Sequence, residues 1–283
     1  MTVTTDQKLS APAATSPASL TAGGCPALTV EDLSAGYPAA PGAVEHATFT
    51  VMRGERVGVL GPNGAGKSTL FKAIVGLIPH HTGHISIHGE DCRTSHTMVG
   101  YMPQHEEIDW AFPATVRDVV MMGRLRQIGW LRWPRRADWE AVDAVLDRVG
   151  MLPFRDRQIG QLSGGQKRRV FIARALVQET DVLLLDEPFS GVDAAAEAEI
   201  LEILDLLRQE RVTVLLATHD MGMAANHFDR LLLLNRRVVA YGPPSQVFTP
   251  QTLSKAYGGR IGIFQDGQQM IIITDEHGCP APP

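Results

Sequence analysis

Apolar residues come in short runs along the first hundred positions, and several runs alternate apolar and polar side chains as half-buried strands do. These runs occupy residues 28–33, 44–51 and 56–60, and shorter ones lie within residues 84–102. Glycine and proline, which favour turns, separate the first three runs at Gly36, Pro38, Pro41 and Gly54. The pattern predicts a region of β-strands that is broken at these four positions.

Beyond residue 115 the apolar positions recur every three or four residues, which predicts helices at 116–122, 139–149 and 165–177. Residues 181–186 contain four consecutive aliphatic residues between acids, as in a parallel strand that is buried on both faces. The later pattern predicts a helix (194–209), strands (212–217, near 230–234 and 237–241) and a hairpin across 260–273. Alternating strands and helices predict an α/β fold: a mostly parallel core sheet, an antiparallel β region and an inserted helical block. The hairpin either extends a dimer interface or covers the sheet.

One glycine-rich segment carries a binding motif. Residues 61–68 read GPNGAGKS, which matches GxxxxGK(S/T), between a predicted strand and a predicted helix. In this context backbone N–H groups converge on phosphate oxygens at the positive end of the helix. Lys67 is then placed for the β- and γ-phosphates, and the Ser68 hydroxyl for Mg²⁺. The predicted nucleotide-binding residues here are Gly61, Pro62, Asn63, Gly64, Ala65, Gly66, Lys67, Ser68 and Thr69.

Composition and charge favour a globular protein that does not bind nucleic acid. The chain has 283 residues, of which 44% are hydrophobic and 20% charged, enough for one large α/β domain or two small ones. Its net charge is −5 and its pI about 6.1, without the basic excess of nucleic-acid-binding proteins. The basic run at residues 167–169 is interpreted as charges on a helix rather than as a nucleic-acid patch.

Cysteine and histidine positions do not suggest disulfides or a metal centre. The three cysteines, Cys25, Cys92 and Cys279, are odd in number and far apart, which fits a reducing compartment. A metal site could be built from His80, His81, His84 and His88. However, Gly83 and the alternating Ile85 and Ile87 predict a turn entering a strand, with these histidines on its wet face.

No apolar run approaches the ~20 residues that a membrane helix requires. The longest runs, 182–185 and 212–217, have the length of strands. Residues 1–26 are rich in Ala, Ser, Thr and Pro and lack the basic start and apolar segment of a signal peptide. We therefore expect a disordered tail, and any membrane path must come from another subunit.

Residues 162–166 read LSGGQ and follow the phosphate loop along the chain. With these two motifs in order, the chain resembles ABC transporter ATP-binding subunits over about residues 28–247. The resemblance implies ATP hydrolysis by a pair of nucleotide-binding domains, in which each ATP lies between one copy's phosphate loop and the other copy's signature. The residues that would act on the partner's ATP are Ser163, Gly164, Gly165 and Gln166. The predicted domains are a tail (1–26), a nucleotide-binding domain (27–247, with a helical subdomain at about 105–178) and a C-terminal extension (248–283).

The same resemblance assigns roles near the phosphates. Asp186 would hold Mg²⁺ together with Ser68, and Glu187 would polarise the attacking water as general base. Gln104 would reach both Mg²⁺ and the water and would sense the membrane partner. His219 would contact the γ-phosphate. Considered without the family, Asp186 and Glu187 could instead be a structural acid pair at a strand end, and His219 a structural histidine.

Two further matches concern adenine and the dimer. Tyr37 corresponds to the aromatic ring that stacks on adenine, although by itself it could be a surface tyrosine. Residues 190–193 read SGVD, and Asp193 ends a loop that in the family crosses the dimer interface.

A narrower resemblance covers residues 108–123, 231–243, 247–250 and 257–259. These segments are similar to ATPases of bacterial manganese, zinc and iron uptake, and the form of residues 109–113 resembles manganese importers more than dedicated zinc importers. The resemblance implies a peripheral protein on the cytoplasmic face of the membrane, an integral permease and an extracytoplasmic metal-binding protein. Trp110, Phe112 and Met121 would pack within the helical subdomain, receive the permease, or do both. Other interpretations are an ABC ATPase for an organic ligand such as a siderophore, an exporter, or a non-transport ABC ATPase.

Overall fold

The computed structural model describes residues 25–38, 40–78, 80–91, 99–104, 112–129, 131–258, 261–266 and 269–274. The strands are β1 (Pro26–Tyr37), β2 (Ala40–Met52), β3 (Arg56–Leu60), β4 (His80–Ile87), β5 (Glu90–Asp91), β6 (Val99–Met102), β7 (Val182–Asp186), β8 (Thr213–Ala217), β9 (Arg230–Asn235), β10 (Arg237–Gly242), β11 (Ile261–Asp266) and β12 (Gln269–Thr274). The α-helices are α1 (Lys67–Ile74), α2 (Val116–Met121), α3 (Leu125–Ile128), α4 (Arg136–Arg148), α5 (Gly164–Leu176), α6 (Ala194–Gln209), α7 (Met221–His227), α8 (Pro244–Val247) and α9 (Pro250–Tyr257). Short 3-10 turns occupy Met122–Arg124, Leu152–Phe154 and Ile159–Gln161.

The central sheet has the order β10-β9-β3-β8-β7-β6, with β10 antiparallel and the other neighbours parallel. Every residue of β3, β7 and β8 is buried, which explains their continuous aliphatic runs. Asp186 pairs with Ala217, and Val59 pairs with Ala217 from the other side. The carboxyl ends of these three strands therefore meet at one edge of the sheet. The predicted mostly parallel core is confirmed.

A second, antiparallel sheet has the order β2-β1-β4-β5. Two of the four predicted strand breaks are wrong, because Gly36 lies inside β1 and Pro41 inside β2. Strand β2 is at the edge of its sheet, where proline is tolerated because the missing N–H can face outward. At Gly36 a Cβ atom would lie 2.2 Å from the carbonyl oxygen of Ala40, so the closely approaching hairpin requires glycine.

Helices α2, α4 and α5 form the helical block that the sequence predicts. Their buried faces join one core cluster that includes Val120, Leu146 and Ile172. Helix α2 begins with a capping box in which Thr115 and Asp118 satisfy each other's backbone N–H groups. Met121 is buried in this core, so of the two interpretations of that side chain the structure supports internal packing.

Three short helices near the C-terminus, α7, α8 and α9, are absent from the sequence prediction. Helix α7 contains Gly222 and Asn226, which weaken the helical signal, and it depends on Asp220, whose carboxylate accepts a hydrogen bond of 2.8 Å from the N–H of Met223. Phe248 and Leu253 are buried in the main core. Packing thus continues past residue 247, where the predicted nucleotide-binding domain ends.

The predicted C-terminal hairpin is present as β11 and β12, which form a separate two-stranded antiparallel sheet beside α9 and α7. Across the described ranges, the helices all fall short of the length and apolarity needed to cross a bilayer.

Candidate nucleotide-binding site

The loop between β3 and α1 borders a cleft of about 220 Å³ at the carboxyl edge of the central sheet. The residues that line it are Ala43, Asn63, Gly64, Ala65, Gly66, Lys67, Ser68, Thr69, Gln104 and Glu187. Seven of the nine predicted phosphate-loop residues are in this set, and Gly61 and Pro62 lead into it. The cleft also contains Gln104 and Glu187, which are far from the loop in sequence.

Close backbone approaches hold the loop in place. Gly66 caps α1 with φ of 98°, and a Cβ atom there would lie 2.4 Å from the carbonyl oxygen of Ala43 on β2. At Gly61 a Cβ atom would lie 2.1 Å from the carbonyl oxygen of Leu234. The N–H of Arg236 donates to the Ala65 carbonyl at 2.8 Å. The glycines thus allow the loop to pack between β2 and the β9–β10 turn.

Lys67 is 6% exposed, and its ammonium group lies over its own loop. Its Nζ donates to the carbonyl oxygens of Gly61 at 2.8 Å and Pro62 at 3.4 Å, and is 3.9 Å from Glu187 Oε1. Burial lowers the pKa of Lys67, while the charges of Glu187 and Asp186 act in the opposite direction. This cation is therefore held beside two acids at the mouth of the loop.

Asp186 and Glu187 end β7 in different environments. Asp186 is 1% exposed, and the hydroxyl of Tyr101 donates to its Oδ2 at 3.4 Å. Glu187 has φ of 50°, in the left-handed region, and its N–H donates to the Ala217 carbonyl at 3.1 Å. A non-glycine residue in this conformation costs ~1–3 kcal/mol and tends to occur at functional sites. Glu187 lines the cleft, whereas Asp186 is buried at the strand end and is not among the lining residues.

His219 lies at a smaller cavity of about 80 Å³ that adjoins the first through Glu187. Its lining residues are Glu187, Phe189, Ser190, Glu197, Thr218, His219, Asp220 and Met223. The segment 218–220 is fixed by the bond from the Thr218 N–H to the Val59 carbonyl, 3.0 Å, and by the cap that Asp220 provides for α7. The structure therefore brings His219 and Glu187 together.

The signature residues lie outside this cleft. Ser163 is the N-cap of α5: its Oγ accepts from the Gln166 N–H at 3.3 Å, and Gln166 Oε1 accepts from the Ser163 N–H at 3.0 Å. Gly165 faces α6, where a Cβ atom would lie 2.5 Å from Ala196 Cβ. Among the described residues that line the cleft, none comes from residues 163–166.

Tyr37 and Asp193 are also outside the cleft of the same chain. Tyr37 is a partly exposed residue at the end of β1, and Asp193 caps α6 by accepting from the Ala196 N–H at 2.8 Å. Sequence reasoning missed Ala43 and Tyr101, which border the site or contact Asp186. The only indication of a role was their position: Ala43 lies in β2, which packs beside the loop, and Tyr101 lies in β6, three residues before Gln104.

The oxygen donors near the loop suit Mg²⁺. Ser68 supplies a hydroxyl, Gln104 an amide oxygen and Asp186 a carboxylate, all hard ligands of the kind that this ion prefers. The described part of the chain has no cluster of three or more His, Cys, Asp or Glu side chains that could hold a metal ion. His84 and His88 instead each lie near an acid, Asp91 at 3.7 Å and Asp181 at 3.2 Å.

The basic run at residues 167–169 is integrated into α5. Arg168 is buried, and Arg169 pairs with Glu199 at 3.1 Å. These two arginines contribute to packing between helices rather than to an exposed basic surface.

Known proteins resemble this chain over most of its length. Residues 44–190 match the protein-family model described as ABC transporter. The chain is 46% identical over 237 residues to the manganese transport system ATP-binding protein MntB of Bacillus subtilis (strain 168), which covers 84% of this chain and 94% of that protein. It is 44% identical over 235 residues to the zinc transport system ATP-binding protein TroB of Treponema pallidum (strain Nichols), covering 83% and 88%.

A solved structure of an ABC transporter of metal-chelate type, in an inward-facing conformation, has a TM-score of 0.76 at 28% identity, covering 87% of this chain and 96% of that one. The sequence motifs, the fold and the cleft agree with these similarities. The chain belongs to the ABC transporter family, as an ATP-binding ATPase.

Proposed function

We propose that this ATPase powers the import of divalent metal ions, with manganese as the first candidate substrate and zinc or iron next. The observation that carries the proposal is the similarity to a manganese transport ATP-binding protein over nearly the full length of that protein. The relative named for zinc transport supports the class of cargo and keeps zinc as the alternative. The cargo would cross through another subunit, so the metal would not contact this chain.

At the cleft, the loop amides of residues 63–69 and the Lys67 ammonium would bind the phosphates of ATP. Ser68, Asp186 and Gln104 would hold Mg²⁺, which neutralises charge on the β- and γ-phosphates when bound. Glu187 would accept a proton from the attacking water, because its carboxylate enters the cleft from the strand end. His219, which shares a cavity with Glu187, would contact the γ-phosphate.

A second copy of the chain would complete each site. The Ser163 hydroxyl and the amides of Gly164 and Gly165 lie at the N-terminus of α5, a 13-residue helix, where an anion is stabilised. The absence of these residues from their own cleft supports action in trans. Gln166 would hold the cap of that helix, Tyr37 would stack on adenine, and Asp193 would lie at the dimer interface. Hydrolysis would then depend on closure of the pair.

A separate membrane permease would bind near Gln104 and Phe112. Phe112 is 55% exposed and follows the Gln104 segment, whereas Met121 is buried and unsuited to direct contact. Trp110 lies outside the described residues. The chain would sit peripherally on the cytoplasmic face of the membrane, and the permease would receive the ion from an extracytoplasmic metal-binding protein.

The test is elemental analysis of cells that lack this protein, grown with limiting manganese, zinc or iron. We expect cellular manganese to fall several-fold under manganese limitation and to recover when the gene is returned. A loss confined to zinc or iron would change the metal but keep the class. Unchanged content of all three metals, with lost transport of an organic substrate, would reject metal import.

A further inference from the structure

The most exposed apolar side chains of the described structure lie close together in the chain, in the helical block. Leu131 is 93% exposed and Trp133 is 90% exposed, and Met122 and Leu125 are also exposed. They belong to the stretch of residues 122–136, which we call the arginine-rich segment. Its described residues are the 3-10 turn after α2, helix α3, residue 129 and residues 131–136 up to the start of α4.

This segment is strongly basic in an acidic protein. Residues 124–136 contain five arginines and no Asp or Glu, although the whole chain has a net charge of −5. Arg124 pairs with Asp138 at 3.0 Å and Glu179 at 2.8 Å, and Arg136 pairs with Glu140 at 2.8 Å. Within the described ranges Arg132 forms no ion pair, and in the sequence it lies between Leu131 and Trp133. Positive charge thus remains beside the two most exposed apolar groups.

We propose that the arginine-rich segment contacts the anionic lipid surface of the membrane. Tryptophan and arginine beside exposed aliphatic residues are typical of side chains at the lipid–water interface, where the ring and the aliphatic part enter the headgroup region and the charge faces anionic lipids. Because Leu131 and Trp133 are almost fully exposed, their side chains project from the surface and do not line a groove. Such side chains fit a soft headgroup layer without a matching pocket.

The charge also argues against the permease as occupant. Cytoplasmic loops of membrane proteins carry an excess of Lys and Arg, which would repel a basic segment, whereas the cytoplasmic leaflet is anionic. Phe112 precedes α2 and the segment begins directly after it, so the two are separated by this helix, whose six residues span about 9 Å. This inference rests on the proposed function only in placing the chain beside a membrane, since lipid binding itself is a property of the isolated protein.

The test is cosedimentation of the purified full chain with vesicles of phosphatidylglycerol and phosphatidylcholine, compared with phosphatidylcholine alone. We expect binding to the anionic vesicles at low salt, weakened by high salt, and at least tenfold weaker binding to the neutral ones. Replacing Arg132 by glutamate removes one positive charge and adds a negative one. We therefore expect its partition coefficient on the anionic vesicles to fall about fivefold for each of these two charge changes. Lys255→Glu, an exposed reversal elsewhere, is the matched charge control.

The apolar contribution is tested with the double variant Leu131→Ser/Trp133→Ser against the control Leu77→Ser/Leu206→Ser, whose side chains are exposed elsewhere. We expect only the first pair to lose anionic binding by tenfold or more, with ATP hydrolysis retained in both as evidence of folding. An equal loss of vesicle binding in both double variants would overturn the proposal. Equal binding of the wild type to anionic and neutral vesicles would also overturn it. So would loss of detergent-solubilised permease binding, or of self-association, in the first pair alone, because the segment would then be a protein contact.

Vesicle binding is measured without transport, so its failure leaves the proposed function standing. Conversely, a chain that binds anionic vesicles but whose deletion leaves metal content unchanged would reject metal import alone.

Discussion

At the scale of single residues, the site depends on charged groups that are placed where water is scarce. Lys67 and Asp186 are almost fully buried, and Glu187 is held in a left-handed conformation between them and the second cavity. Such placement is costly for folding and is stabilised by the loop carbonyls, by Tyr101 and by the strand-end hydrogen bond of Glu187. We interpret this cost as the consequence of a preformed catalytic site.

Replacing Glu187 by glutamine should remove hydrolysis and retain ATP binding. Glutamine preserves the shape and the hydrogen-bonding capacity but cannot accept the proton of water, so we expect the turnover rate to fall about 10²-fold or more. The measurement is phosphate release together with nucleotide affinity. Glu202→Gln, the same change on the exposed side of α6, should behave as wild type. Hydrolysis within a few-fold of wild type in Glu187→Gln would show that the general base is another group.

The loop motif predicts Lys67 from the sequence, and the resemblance to ABC ATPases adds Asp186 and Glu187. The sequence does not predict the positive φ of Glu187 or the bond from Tyr101 to Asp186, since both depend on how β6, β7 and β8 align. Long-range alignment of this kind leaves no local pattern. For His84 and His88, residue type alone left a metal site open as an alternative. In the structure His84 lies near Asp91 and His88 near Asp181, which are contacts that the sequence does not indicate.

At the scale of elements, the signature helix α5 and helix α6 approach each other closely at their N-termini. The contact is between Gly165 and Ala196, three residues after Asp193, so the two segments assigned to the dimer interface are packed against each other. We infer that they move as one unit when two copies close.

An alanine at position 165 should destabilise the fold. Its Cβ would lie 2.5 Å from Ala196 Cβ, and overpacking of this kind typically costs about 1–3 kcal/mol. At Gly164 the nearest atom to a new Cβ is 3.9 Å away, so Gly164→Ala should change the free energy of unfolding by about 0.5 kcal/mol or less. Denaturant unfolding of both variants measures the difference. Equal stability of the two would mean that the α5–α6 contact is looser than described.

Complementation tests whether the signature acts on the partner's ATP. Ser163→Asp keeps an N-cap acceptor but adds negative charge where the γ-phosphate is expected, and Ser163→Asn is its neutral capping control. Lys67→Ala removes the loop's own cation. Lys67→Ala and Ser163→Asp should each be inactive alone, whereas Ser163→Asn should keep more activity than Ser163→Asp. Mixed dimers of Lys67→Ala and Ser163→Asp hold one intact composite site and should regain part of the hydrolysis rate. If mixing restores no activity although mixed dimers form, the trans arrangement is rejected.

Element prediction from sequence succeeds where the local signal is strong and fails where tertiary contacts decide. Helix α6 and the strands of the central sheet follow their patterns closely. Gly36 and Pro41 suggested breaks, yet an edge position and a close hairpin accommodate both inside strands. Helix α7, only seven residues long, depends on the Asp220 cap more than on residue propensity.

At the scale of the whole molecule, the proposed coupling would require that a membrane subunit influence the cleft through Gln104. The exposed Phe112 follows that segment, and α2 continues from there into the buried core of the helical block. A displacement of this surface by a bound permease would therefore be transmitted to α5 and the signature residues through packed side chains. The domain boundary at residue 247 stays a prediction, and buried packing extends past it to Leu253.

Introducing charge at Phe112 should uncouple the complex. In Phe112→Glu an unpaired carboxylate would be buried against the permease, at a cost of several kcal/mol that lowers the affinity about a hundredfold or more. ATP binding by the isolated chain should be unchanged. Pull-down of the permease measures the effect, with Leu206→Glu as an exposed control on α6. Permease binding that is equally strong in both variants would place the docking surface elsewhere.

The most direct test of the account is the initial rate of manganese uptake in cells that lack this protein and carry either the wild-type gene, Glu187→Gln or Glu202→Gln. We expect wild type and Glu202→Gln to restore uptake at equal rates, and Glu187→Gln to restore none although the protein accumulates normally. Uptake that is unaffected by the deletion, or fully restored by Glu187→Gln, would contradict the account.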